Sequence, residues 1–142
     1  MNFHVRNYLK KHNIHIEYSS RVDFEAKKFD TPKGSVIIVN SNLSENKQEL
    51  AILHELGHNI YDKDTCGSYK NNDKVHTKME VDANKFMLRE SLNIYSSENN
   101  VDPEDINSIE FLESHDLNLN LNDLTRSLIN KMINDEYNRK AN

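Results

Sequence analysis

The segment His54-Glu55-Leu56-Gly57-His58 holds the residues of this 142-residue chain whose types and spacing could do chemistry. Two histidines at i and i+4 lie one turn apart on the same face of a helix, so both imidazoles can reach one zinc ion at about 2.0 to 2.1 Å. Glu55, displaced along the same side, can hydrogen-bond a water on such an ion, accept its proton and pass it to the leaving nitrogen of a cleaved amide. Gly57 leaves this stretch uncrowded. A chain of this composition contains an HExxH by chance about 3% of the time, and its fall inside an amphipathic helical pattern lowers that further.

A catalytic zinc takes three protein ligands and leaves the fourth position for water. Glu80 is the favoured third ligand, because the 21 residues between it and His58 allow a helix end, a loop and a return on a second, antiparallel helix. Asp82 is the alternative. Asn84 shares a helix face with Glu80 and can orient a ligand histidine through its far ring nitrogen. Tyr69, His76 and His115 are candidates for stabilising the oxyanion of a tetrahedral intermediate. Cys66 sits in a polar stretch and reads as a free thiol. His4, His12 and His15 lack a convergent partner and read as solvated or strand-edge side chains.

The elements that must position these groups follow from hydrophobic periodicity. Residues 14–18 alternate apolar and polar, as in a half-buried strand, and 22–29 read as a second strand. Turn chemistry over 30–34 leads into 35–40, whose run of β-branched residues suggests a strand buried on both faces. A helix over about 44–61 is capped by Asn42 or Ser44, with Asn42 and Glu45 in the form of a capping pair. Its residues Ile52, Leu53, Leu56 and Ile60 lie roughly opposite His54, Glu55 and His58, so both sides need neighbours. Residues 62–74 read as loop, and a second helix spans about 75–90 with Met79, Ala83, Phe86 and Met87 in one stripe. Ser96 to Asn100 reads as a polar break, and helices follow over about 103–113, with Pro103 at the first position, and about 122–138. Leu117, Leu119 and Leu121 are expected to pack into the core. The expected class is α+β, with a small N-terminal three-stranded sheet, the HExxH helix, a second ligand-bearing helix and C-terminal helices. Residues 1–95 form the expected core, and 96–142 a helical extension packed on it within one domain.

Composition excludes several functions. With 18 basic and 23 acidic side chains, the formal net charge is −5, and no dense Lys/Arg stripe suits nucleic acid phosphates or an anionic membrane. The lone cysteine permits no internal disulfide and suits a reducing compartment, so a cytoplasmic location is expected. The start of the chain has no apolar stretch of the secretory type, and the strongly apolar run from Val36 to Val39 is far too short to span a bilayer.

His54-Glu55-Leu56-Gly57-His58 followed by Glu80-Val-Asp-Ala-Asn84-Lys-Phe86 resembles the ImmA/IrrE-type metallopeptidases, in which a HELGH-like helix precedes a helix with an E-x-E-A-N-x-F-A pattern. The strand Ser35 to Asn40 and the stretch Leu50 to Leu53 match what that family places before its histidines, and the resemblance spans about residues 14–92. It implies a zincin-like, gluzincin-type core with one Zn2+ per chain, His54, His58 and Glu80 as ligands and Glu55 as catalytic base. It also implies a protein substrate, a helix-turn-helix repressor of a phage or mobile element, with substrate choice residing in the C-terminal region. The pattern departs after Phe86, where Met87-Leu-Arg-Glu-Ser-Leu92 lacks the family's closing Met-Pro. The leading expectation is thus a cytoplasmic zinc endopeptidase acting as an anti-repressor. The alternative is a non-proteolytic, zinc-stabilised binding module that sequesters a repressor or serves in a toxin and antitoxin pair.

Overall fold

The structure, a computed structural model, describes residues 1–61 and 73–141, with side chains from 77 onward in the second stretch. Its chain resolves into two compact units, Met1–Met87 and Leu88–Asn142. The division falls inside one helix.

In the first unit, α1 (Phe3–Lys11) is capped by Asn2, whose side chain accepts from the His4 N–H, and it buries Val5 and Leu9. Three strands follow, β1 (Ile14–Ser19), β2 (Ala26–Thr31) and β3 (Gly34–Asn40). The sheet order is β1-β3-β2, with β3 parallel to β1 and antiparallel to β2, so among the described residues both β1 and β2 are edges. The second strand begins four residues later than its composition suggested. Residues 21–25 precede the strand, although the Glu25 carbonyl already accepts from the Asn40 N–H, and strand continues through the expected turn to Thr31, leaving only Pro32 and Lys33 as a two-residue connection. Gly34 closes that turn at φ +129°, where a Cβ would come within 2.7 Å of the Asn13 carbonyl oxygen.

The central strand β3 is not equally buried on its two faces. Ile37 and Val39 are fully enclosed, while Val36 and Ile38 are half-buried. The inner face is identified by register: Lys28 is the partner of Ile37, and its Nζ reaches Asn59 on α2 (Glu45–Tyr61). Helix α2 packs on β2 and β3 and buries Leu50, Ile52, Leu53 and Leu56, each such side chain contributing about 1.5 to 3 kcal/mol of transfer free energy. Ser44, not Asn42, caps α2, its Oγ accepting from the Lys47 N–H at 3.2 Å, while Asn42 donates to the Ser20 carbonyl.

The next helix, α3 (Asp73–Asn99), runs nine residues past the expected end at about 90. The polar run at 96–99 stays helical and the stop comes at Asn100, which adopts φ +54°. The Val101 N–H then bonds to the Ser96 carbonyl at 3.0 Å, the 6→1 bond of a Schellman end. The apolar stripe itself continues through Leu88 and Leu92, both fully buried, to Tyr95, so the polar composition at 96–99 did not mark a break.

In the second unit, the expected helix over 103–113 is divided. Pro103–Asp105 forms a single 3-10 turn, and α4 (Ser108–Ser114) restarts under an Asn107 cap that accepts from the Glu110 N–H. Helix α5 (Asn122–Ala141) completes the fold and buries Thr125, Leu128 and Ile129. Phe111 and Leu112 of α4 are fully enclosed, and Tyr95 meets Phe111 edge-on at 5.6 Å. Leu117 and Leu121 are half-buried, but Leu119 remains half exposed, contrary to the expected core position. No described helix is long and apolar enough to cross a membrane.

Candidate metal centre

His54 and His58 project from one side of α2, one turn apart, with their Nε2 atoms 3.2 Å from each other and their rings edge-to-face. Glu80, on α3, presents its carboxylate to both: Oε2 lies 3.2 Å from His54 Nε2, and Oε1 lies 2.9 Å from His58 Nε2. Among the described residues this is the one group of three or more potential ligands whose donor atoms converge. Asp82 does not join it, pairing instead with Lys78 at 3.1 Å.

The convergence depends on how closely α2 and α3 approach. A Cβ on Gly57 would lie 2.8 Å from the Ala83 Cα and 3.0 Å from its carbonyl oxygen, closer than side chains and backbone ordinarily come. Gly57 and Ala83 are therefore the contact that lets Glu80, one turn before Ala83, reach histidines on either side of Gly57. The glycine does more than leave the motif uncrowded. It sets the spacing of the two helices that carry the candidate ligands.

The donor set fits a divalent ion of the zinc type. Ligands at about 2.0 to 2.1 Å in a tetrahedron stand about 3.3 Å apart, close to the spacings between the three side chains. Two imidazoles and one carboxylate suit zinc and leave a fourth position open. Burial lowers the His54 pKa, an effect opposed mainly by the neighbouring Glu80 charge. Its ring is thus neutral, with a lone pair to offer, over a wider range of pH. Asn84 hydrogen-bonds His54, as its place one turn beyond Glu80 suggested.

Glu55 sits beside this cluster, half-buried. Desolvation raises its pKa, while the charge of His58 and a hydrogen bond from the Lys28 main-chain N–H act in the opposite direction. A carboxylate so placed is poised nearer neutrality than a surface one, as suits a proton acceptor.

Of the remaining candidates, Tyr69 and Cys66 lie outside the described residues, as does the side chain of His76. His115 belongs to the second unit, where Nδ1 lies 2.8 Å from the Phe111 carbonyl oxygen and the ring lies tilted against that of Phe111 at 4.1 Å. Burial lowers its pKa. His12 stacks on Tyr8 at 4.2 Å, and His15 pairs with Glu17 at 3.3 Å. Two residues next to Glu55 carried no sequence signal: Lys28, whose strand could not be seen to be the sheet edge beside α2, and Asn59, whose type alone suggests nothing.

The family model described as the IrrE N-terminal-like domain, Peptidase_M78, matches residues 9–126. The chain belongs to this family. Neither a curated protein nor a solved structure matches it significantly. The IrrE-like match runs past the stretch that carries the motif resemblance, from within α1 into α5, and so takes in both units. It is a metallopeptidase family, in keeping with the convergence of His54, His58 and Glu80 in this IrrE-like chain.

Proposed function

We propose that this chain is a zinc-dependent endopeptidase of the cytoplasm that hydrolyses a peptide bond in a protein partner, with a helix-turn-helix repressor of a phage or mobile element as the substrate. The observation that carries the reading is the placement of a half-buried carboxylate, Glu55, beside a cluster of two imidazoles and a third acidic ligand. His54, His58 and Glu80 would hold the ion. Zinc held there supplies Lewis acidity, polarising a carbonyl oxygen and lowering the pKa of water to about 7.

The other tasks fall to the protein's own side chains. Glu55 accepts the proton of the attacking water and delivers it to the leaving nitrogen, which requires the carboxylate to be ionised at the outset. The Lys28 N–H holds that carboxylate in place, and Asn84 holds the His54 ring. A protein that merely sequestered its partner would have no use for a desolvated glutamate at position 55. A closed structural site would be completed by a fourth protein ligand, often cysteine.

The test combines metal analysis with cleavage. The wild-type chain, Glu80→Ala and Glu55→Gln are each analysed for zinc and incubated with a helix-turn-helix repressor of the proposed substrate class. Weakened zinc binding in Glu80→Ala, with retained zinc but no cutting in Glu55→Gln, supports the reading. Equal cutting by Glu55→Gln overturns it.

A further inference from the structure

Lys28 lies in the edge strand β2, and the register assigns its main-chain groups. Lys28 pairs with Ile37 and Ala26 with Val39, while the Asn40 N–H donates to the Glu25 carbonyl at 2.8 Å. In an antiparallel ladder the residues that exchange hydrogen bonds alternate, so 25, 27 and 29 bond to β3, and the N–H of Lys28 points to the open side. On that side it donates to the Glu55 carboxylate. The Lys28 side chain reaches the same helix, its Nζ donating to Asn59 Oδ1 at 2.8 Å and also pairing with Asp30 at 3.2 Å. Glu55 and Asn59 are one turn apart on α2, so main chain and side chain fasten Lys28 to a single helix face. Asn59 is itself held, since its side chain hydrogen-bonds the hydroxyl of Tyr8, whose ring lies 6.4 Å from that of Phe86.

We propose that Asn59 is a positioning residue: by gripping the Lys28 ammonium it sets edge strand β2 against α2, and thereby fixes the Glu55 carboxylate through the Lys28 main-chain N–H. Its importance for catalysis rests on the peptidase reading, in which Glu55 is the base. The physical linkage does not. An ammonium held by a neutral amide and a neighbouring carboxylate is a directional tether, and the main-chain N–H next to it inherits that placement.

The experiment is amide hydrogen exchange by NMR on the 15N-labelled full chain. Asn59→Leu and Lys28→Met each remove one end of the tether and keep the Lys28 N–H. Both are expected to speed exchange at Lys28 about ten-fold, the factor corresponding to one hydrogen bond of ordinary net strength. Lys27 and Phe29, bonded within the ladder, are expected to stay within about two-fold of wild type. Asn59→Asp keeps an acceptor for Nζ and is expected to retain the slow exchange. The Lys28 amide proton, deshielded by a carboxylate acceptor, should move upfield in Asn59→Leu and in Glu55→Gln but not in Asn59→Asp. Unchanged Lys28 protection in Asn59→Leu and Lys28→Met overturns the proposal. So does a loss shared equally by the whole ladder, or failure of Asn59→Asp to retain protection. None of these readouts uses cleavage, so a tether that behaves as stated in a chain that cuts no repressor would refute the peptidase reading alone.

Discussion

Replacing Gly57 by alanine should separate metal affinity from stability. The new Cβ would stand 2.8 Å from the Ala83 Cα, where ordinary contact begins at 3.4 Å, so α3 must retreat by at least about 0.6 Å. Overpacking of this kind costs about 1 to 3 kcal/mol, and alanine returns about 1 kcal/mol through helix propensity, leaving a net loss of about 0 to 2 kcal/mol. A metal ion held by His54, His58 and Glu80 would be far less forgiving, because ligand distances tolerate only about ±0.2 Å. A retreat three times that large moves Glu80 away from both histidines and should weaken zinc binding about 10- to 100-fold, as loss of a group that orients a ligand does. Competition against a chromophoric chelator measures the affinity, and urea unfolding of the metal-free chain measures the stability. Ala83→Gly should not rescue, since the obstructing atoms are the Ala83 main chain. Zinc affinity within two-fold of wild type in Gly57→Ala would refute the claim that the helix contact places Glu80.

Other perturbations have equally definite outcomes. The folded-state pKa of Glu55 is raised above 4.5, so its favourable contribution to stability exists below that value and is lost as pH rises through the folded pKa. Glu55→Gln should therefore raise the urea midpoint of the metal-free chain at neutral pH, and an unchanged or lower midpoint would contradict the burial argument. His54 and His115 have the opposite linkage. Their folded pKa values lie below 6.5, so their contribution is present above 6.5 and is lost as pH falls through the folded values. The metal-free chain should lose stability in that window, and His115→Gln should flatten the slope measured by urea unfolding across it. Leu53→Ala, at a fully buried position, should cost about 2 to 5 kcal/mol by the same measurement.

The site was more legible in the sequence than the scaffold around it. His54, Glu55 and His58 announce themselves because helical geometry alone brings i and i+4 together, whereas the ligand count asks only for a third group, and Glu80 is preferred to Asp82 by its spacing from His58 and by the family pattern. The strand read at Ile14 to Tyr18 and the one ending at Asn40 are legible because alternation and β-branching are local signals. What could not be read is what depends on distant partners. Nothing local places β3 between β1 and β2, or tells that Lys28 will face α2 from a sheet edge. The burial of Leu92 keeps α3 helical past the apparent stripe, and the stop depends on a left-handed Asn100 among neighbouring asparagines. The importance of Gly57 was visible only as an absence of bulk. Its partner, Ala83, becomes visible once two helices are seen against each other.

The central claim is most directly tested by the stoichiometry of zinc in the purified chain, followed by cleavage of a helix-turn-helix repressor, the proposed substrate, by wild type and Glu55→Gln at matched zinc content. The account predicts one zinc per chain in both, a cut repressor with wild type and an intact one with Glu55→Gln. Zinc bound without His54, His58 or Glu80, or a repressor cut equally by both proteins, would contradict it.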